Sequence, residues 1–411
     1  MSPARARMLA GCLATLVAGW SAAWTRVEAA PVTPRRDDEV VERLPLRVGS
    51  SEERARQRAE QRVLAQQPRD LGLALRAARE AIERARRDGD PRELGTAQAW
   101  LRPWWDDPAA PPAARLLKAI VLQARHEFDA ALAELDHVLA TPRLPSAVEA
   151  QAALTRASLL QVRGRWDEAR QGCQRLAGPP LSLPHGRACL AELDSLQGRD
   201  AQAMKQLSAL ERDPRAPQAW LMLLRAEMAE RQGRPEAGEL YARALALEEG
   251  IYVRAAYADW LLDAGRPADA AAVAMAGVAG TASAASEAAA PLAIENLPDA
   301  LLLRVAIAWK RSSHPDAARA AAQMQSRFDA AALRGDTTHA RERARFALDV
   351  RQDAAVALRE ATLNWTQQRE PADAVLLMRA SRAARRPEAA APVMAFQREQ
   401  GLRDRRLEAA R

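Results

Sequence analysis

The side chains that most often carry out catalysis or bind metals are few in this chain of 411 residues, and none of them forms a recognisable site. None of the five histidines stands in a Cys/His/Asp pattern with metal-ligand spacing. These histidines are His126, His137, His185, His314 and His339. The chain lacks a His-Glu-x-x-His zinc motif, a Gly-x-Ser-x-Gly elbow and a glycine-rich phosphate loop. We therefore expect no catalytic residues, no cofactor and no metal, and a protein that is not an enzyme.

Two cysteines have a spacing that allows a disulfide. Cys173 lies four residues before a predicted helix end at Ala177, and Cys189 lies four residues after a predicted helix start at His185. Equal offsets place the two side chains level if the helices are antiparallel, so we expect a disulfide in an oxidising compartment. Two small buried thiols are the alternative interpretation.

Two adjacent tryptophans, Trp104 and Trp105, lie in the proline-rich stretch 102–112. Exposed, they would be an anchor for a partner protein. Buried, they would fill the seam between two neighbouring structural repeats. The sequence leaves both interpretations open and favours the seam.

The elements that must position these residues are pairs of short helices, and residues 147–177 show the pattern. Ala150, Ala153, Leu154 and Ala157 recur at the spacing of one helical face. Gly164 then ends the first helix, because glycine adopts the left-handed conformation of a helix C-terminus without steric cost. A second helix follows, and neither helix is long enough to be stable alone in water.

This layout recurs along the chain, with successive turns 37, 38, 34, 35, 32 and 48 residues apart. The turn positions are Gly89, His126, Gly164, Gly198, Gly233, Gly265 and Ser313. A small residue follows five positions after the turn at Ala169, Ala203 and Ala270, among others. A period near 34 with these small residues resembles the tetratricopeptide (TPR) repeat over residues 70–400. The resemblance implies an all-α, right-handed α-solenoid of TPR-like helix–turn–helix repeats that binds protein partners and no small-molecule substrate.

Stacked helix pairs form a concave groove lined by the first helix of each pair, and this groove is the usual binding face. Aligning the repeats places one set of residues on or near it, and together they give a mildly acidic lining. These predicted groove residues are Gln123, Ser158, Gln161, Glu192, Glu227, Glu230, Asp259 and Asp263. An acidic groove favours an extended partner segment that carries Lys or Arg, or a free amino terminus. Ordinary solvated helix positions are the alternative interpretation of each residue.

The amino terminus predicts export. Residues 1–30 combine Arg5 and Arg7 with an apolar run over 8–20 and small residues for cleavage, as in a signal peptide. The apolar run is short for a membrane anchor, although an uncleaved signal would tether the protein to a membrane. Cys12 completes a lipoprotein-like box, which we interpret as a chance match. We expect a bacterial periplasmic protein with a disordered linker over residues 31–50.

The rest of the chain divides at a small, polar stretch. We expect an N-terminal solenoid over residues 51–278 and an Ala/Ser-rich insertion over 279–297. C-terminal repeats and a solvated cap follow over 298–411.

The net charge of +7 comes almost entirely from arginines scattered along the helices. Scattered charge is typical of solvated helix faces and does not indicate nucleic-acid binding. The sequence therefore predicts a non-catalytic scaffold or adaptor that binds a protein or peptide in its concave groove. The alternative is a membrane-tethered structural part of an envelope assembly, acting through its convex face or the Trp104–Trp105 loop. An enzyme built on a repeat scaffold is a third, less favoured hypothesis.

Overall fold

The computed structural model describes residue 36 and residues 51–67, 69–276, 294–334, 336 and 338–409. The predicted signal peptide, Cys12, the linker and most of the predicted insertion lie outside these ranges. Within them every regular element is a helix, which confirms the all-α prediction. None of these helices is both long and apolar enough to cross a membrane.

The described residues form twenty α-helices. They are α1 (Ser51–Gln66), α2 (Leu71–Asp88), α3 (Arg92–Trp105), α4 (Pro112–Ala124), α5 (Phe128–Leu139), α6 (Ser146–Val162), α7 (Trp166–Ala177), α8 (Pro184–Leu196), α9 (Asp200–Leu210), α10 (Gln218–Arg231), α11 (Ala237–Leu247), α12 (Ile251–Asp263), α13 (Pro267–Met275), α14 (Asp299–Arg311), α15 (Ala317–Leu333), α16 (Ala340–Phe346), α17 (Ala354–Gln367), α18 (Pro371–Ala383), α19 (Ala391–Gln400) and α20 (Arg405–Ala409). A π-helical turn, Ala347–Arg351, extends α16, and a 3-10 turn, Pro387–Ala390, precedes α19.

From α2 onward the helices pack in consecutive antiparallel pairs, α2 with α3, α4 with α5, and so on to α18 with α19. Each pair also packs against the next, so the hydrophobic faces are buried between neighbours and not in one central core. This is the predicted α-solenoid of TPR-like helix–turn–helix repeats.

Each pair turns at a residue with positive φ. These residues are Gly89, His126, Gly164, Gly198, Gly233, Gly265, Ser313, Gln352 and Arg385. The first seven are the turn positions that the sequence predicts. After seven of these nine turns, the backbone N–H donates to a carbonyl five residues back, as from Arg165 to Leu160 at 2.8 Å. This bond satisfies a carbonyl at the end of the first helix and fixes the angle between the two helices.

The core continues across the segment that we predicted to divide the chain. Buried residues of α12 and α13 share one hydrophobic cluster with those of α14 and α15. Ile294 and Leu297, directly before α14, are fully buried in the same cluster. The helix pairs on the two sides of the undescribed residues 277–293 are therefore direct neighbours, while the domain boundaries themselves stay a prediction.

The C-terminal helices fold back onto the N-terminal pairs. One hydrophobic cluster joins buried residues of α4 to α8 with those of α16 to α20. The backbone N–H of Arg369 donates to the Val162 carbonyl at 2.7 Å, and that of Arg403 donates to the Leu196 carbonyl at 2.9 Å. Each of these bonds crosses roughly two hundred residues of sequence, so the solenoid closes on itself. We predicted a solvated cap at the C-terminal end of the repeats. This is wrong for Leu402, which is only 1% exposed because the closure buries it.

Candidate binding surface on the inner wall

Closure gives the first helices of the central pairs a face turned toward the C-terminal helices. We call this face, on α6, α8, α10 and α12, the inner wall. The predicted groove residues Gln161, Glu192, Glu227, Glu230 and Asp259 lie on it. Their contacts and electrostatic neighbours include residues of the C-terminal helices.

Two carboxyl groups of the inner wall have no ion-pair partner among the described residues. Burial raises the pKa of Glu192, and the Gln161 side chain, which hydrogen-bonds to it, opposes this rise. Burial and the neighbouring charge of Glu192 raise the pKa of Glu227 to about 8, against the opposing effect of Arg231. The two glutamates therefore destabilise each other's ionised forms.

Tyr252 shows that this part of the wall borders water. Its hydroxyl donates to Glu227 Oε1 at 2.9 Å, and its side chain is 63% exposed. The charge of Glu227 and burial nevertheless raise the pKa of Tyr252 well above its ordinary value, and Glu370 of the C-terminal helices adds to the shift. Tyr252 therefore lies where the inner wall faces Glu370 and Arg341, whose charges act on it.

Arg341 of α16 binds residues at the start of α18 and just before it. Its Nε contacts Asp373 Oδ1 at 2.6 Å, and its Nη2 donates to Gln368 Oε1 at 2.8 Å and also bonds Glu370. Asp373 is buried and accepts a further bond from Asn364 at 2.6 Å. This network holds the start of α18 in place, opposite Tyr252.

Glu230 is already occupied by the chain itself. Its Oε2 accepts a bond from the Tyr241 hydroxyl at 2.6 Å, and its Oε1 pairs with Arg406 Nη1 at 2.6 Å. Burial raises the pKa of Glu230, and the Arg406 charge opposes that rise. Glu230 therefore has an internal partner from the far end of the chain, which corrects its prediction as a freely available groove residue.

Asp259 is likewise occupied. It accepts bonds from Arg304 Nη2 and Arg345 Nη1, each at 2.6 Å. Burial opposes ionisation of Asp259, but the two guanidinium groups outweigh it and lower the pKa to about 2. Asp259 thus ties α12 to α14 and α16, and its predicted availability to a partner is corrected.

The remaining predicted groove residues differ in accessibility. Gln123 and Ser158 are half-buried, on α4 and α6. Asp263, at the end of α12, is exposed, and its charge adds to the acidity around Glu230. The acidic residues of the predicted groove that form no ion pair among the described residues are therefore Glu192, Glu227 and Asp263.

The two tryptophans fill a seam. Trp104 is 8% exposed and belongs to the cluster that joins α2, α3 and α4. Trp105 is half-buried, and the Lys118 ammonium donates to its carbonyl at 2.5 Å and lies 5.5 Å from its ring centroid. The interpretation as an exposed partner anchor is corrected, because neither ring is free to enter another protein.

A disulfide joins Cys173 of α7 to Cys189 of α8, the pair suggested by their equal offsets. Their Cα atoms are 5.7 Å apart. Gly186 allows this approach, because a Cβ there would lie 2.3 Å from the backbone nitrogen of Ala177. The close packing of α7 on α8 therefore positions the two sulfur atoms.

Comparisons with other proteins add little to this description. No protein-family model matches the chain, and no curated protein sequence matches it. Among solved structures the chain is similar to the TPR domain of P58(IPK), with 16% sequence identity over 82% of this chain and 96% of that chain. The TM-score is 0.21, so the likeness supports no conclusion about fold or function. The described residues contain no group of three or more His, Cys, Asp or Glu side chains arranged to hold a metal ion.

Proposed function

We propose that this protein is a non-catalytic interaction scaffold that binds a basic, extended segment of a partner protein along the inner wall. The observation that carries the proposal is the pair Glu192 and Glu227, two neighbouring carboxyl groups on the inner wall that form no ion pair among the described residues and share the nearby charge of Arg231. A lysine, an arginine or a free amino terminus placed between them would offset their repulsion. Solenoid proteins commonly use such continuous inner surfaces for binding.

We further propose that the protein works in a bacterial periplasm. The signal-like residues 1–30 support export, and the Cys173–Cys189 disulfide is of the kind that persists in oxidising compartments. Membrane attachment follows only if the signal is retained. The proposed partner is a protein or peptide, and neither nucleic acid nor a small-molecule substrate.

Fluorescence anisotropy with defined peptides tests the proposed binding. A labelled peptide of alternating serine and lysine should bind the full chain, whereas the matching serine–glutamate peptide should not, because only the first is complementary to the acidic wall. Combining Glu192→Gln with Glu227→Gln should weaken binding about tenfold. The control is Glu239→Gln, at an exposed glutamate of α11, which should leave the affinity unchanged.

Two results would contradict the proposal. One is equal binding of the lysine and glutamate peptides, which would show that charge complementarity plays no part. The other is unchanged affinity in the double variant, which would place any binding elsewhere on the molecule.

A further inference from the structure

The last described residues, 401–409, which we call the C-terminal segment, lie against the turns of two N-terminal helix pairs. Gly401 ends α19 in the left-handed conformation, and the chain then runs without helix until α20. The side chain of Gln197, in the turn after α8, donates to the Gln400 carbonyl at 3.0 Å. Directly beyond, the Arg403 N–H donates to the Leu196 carbonyl at 2.9 Å.

The turn glycines provide the space for this approach. A Cβ at Gly198 would lie 2.8 Å from Arg403 Cγ, and a Cβ at Gly233 would lie 2.9 Å from Arg405 Cδ. Any larger turn residue would push these arginine stems away. The two glycines thus serve a second purpose beyond their positive φ, since they admit another segment of the chain.

The C-terminal segment is held by two leucines and one arginine. Leu402 and Leu407 are each 1% exposed and belong to the cluster that joins both ends of the solenoid. Between them Arg406 reaches Glu230 at 2.6 Å, while Asp404 orients the guanidinium from the other side at 2.6 Å. An arginine between two buried leucines therefore occupies the Glu230 end of the inner wall.

We propose that the C-terminal segment is a tethered occupant of the partner-binding surface, and that partner segments of the same chemistry compete with it. Such a partner carries an arginine for Glu230, a leucine directly after that arginine and another leucine four residues before it. Binding of the partner releases the C-terminal segment from the turns at Gly198 and Gly233. This inference rests on the proposed function, because it names the regulation and the partner chemistry of the same inner wall.

Two measurements on the full chain test the proposal. The first is anisotropy with a labelled peptide of the sequence of residues 401–409. Arg406→Ala weakens the tether, so the peptide should bind that variant about tenfold more tightly than the unmodified chain. The control Arg398→Ala removes an exposed arginine of α19 and should change nothing.

The second measurement is hydrogen exchange of residues 402–407 in the unmodified chain, which does not depend on any variant folding. Adding the peptide in excess should speed exchange at the Arg403 amide, because its bond to Leu196 is lost. Unchanged exchange at saturating peptide, or equal affinity for the Arg406→Ala and unmodified chains, would overturn the tethered-occupant proposal. The proposed function fails separately, if the serine–lysine peptide shows no dependence on Glu192 and Glu227.

Discussion

Replacing Gly164 with alanine should destabilise the protein more than the same change at Gly265. The difference in stability reports on the contact between the Gly164 turn and the C-terminal helices, which exists only if the solenoid closes. The two glycines have nearly equal backbone angles, with φ of 75° and 72°. Forcing alanine into the left-handed region costs about 1–2 kcal/mol at either position. A Cβ at Gly164 would also lie 2.7 Å from Phe396 Cε2 and 3.0 Å from Arg369 Cδ, whereas nothing lies within 4 Å at Gly265. Overpacking of this kind costs a further 1–3 kcal/mol or so.

The assay is urea unfolding of the two single variants, with stability taken from midpoints at an unchanged slope. We expect Gly164→Ala to lose about 1–3 kcal/mol more than Gly265→Ala. In a Phe396→Ala background this excess should largely disappear, because the ring that the new methyl group meets is gone. Equal losses in the two single variants would refute the reasoning, since they would mean that α19 does not lie against the turn of the third pair.

Four further predictions concern the packing and the electrostatics of the described residues. Gly186→Ala should lower the free energy of unfolding by about 3 kcal/mol, because the new methyl group meets the backbone of α7. A thermal-melting midpoint equal to that of the unmodified chain would contradict this. Reducing the Cys173–Cys189 disulfide should lower the free energy of unfolding by about 3 kcal/mol, the value expected for a closed loop of this length. Thermal melting with and without reductant measures this loss. The pKa of Glu227 is raised from 4.5 to about 8, so its contribution to stability is present at low pH and is lost as pH rises toward 8. Glu227→Gln should therefore be more stable than the unmodified chain at about pH 9 and equal to it at about pH 4. The pKa of Asp259 is lowered from 3.8 to about 2, so its contribution is present above pH 3.8 and is lost as pH falls toward 2. Asp259→Asn should lose stability at about pH 7, and its deficit should shrink in acid.

The local structure of this protein could be predicted from its sequence because each repeat carries its own signals. Five turn glycines mark the ends of helices, and the spacing of alanines marks the buried faces. The last two turns, at Gln352 and Arg385, lack a glycine, so no glycine signal marks them. The disulfide followed from the same local geometry, since equal offsets from two helix ends require no knowledge of the rest of the fold.

The closure could not be predicted in this way. The bond between Arg369 and Val162 depends on how a small rotation between pairs accumulates over the whole solenoid, and no local pattern encodes that sum. The groove prediction therefore assigned Glu230 and Asp259 to a binding face without their internal partners. The sequence signals that could have pointed to those partners are arginines at Arg304, Arg345 and Arg406. These were indistinguishable from the many solvated arginines of the chain.

The most direct test of the proposed function is the pH dependence of binding of the serine–lysine peptide to the full chain. Glu227, with a pKa of about 8, is mostly neutral at about pH 6.5 and mostly ionised at about pH 9, while the peptide lysines stay charged throughout. If binding requires the ionised carboxylate, affinity should rise between these two values by up to about thirtyfold, and the rise should be lost in Glu227→Gln. Affinity that is constant or falls over this range in the unmodified chain would contradict the assignment of the inner wall as the binding surface.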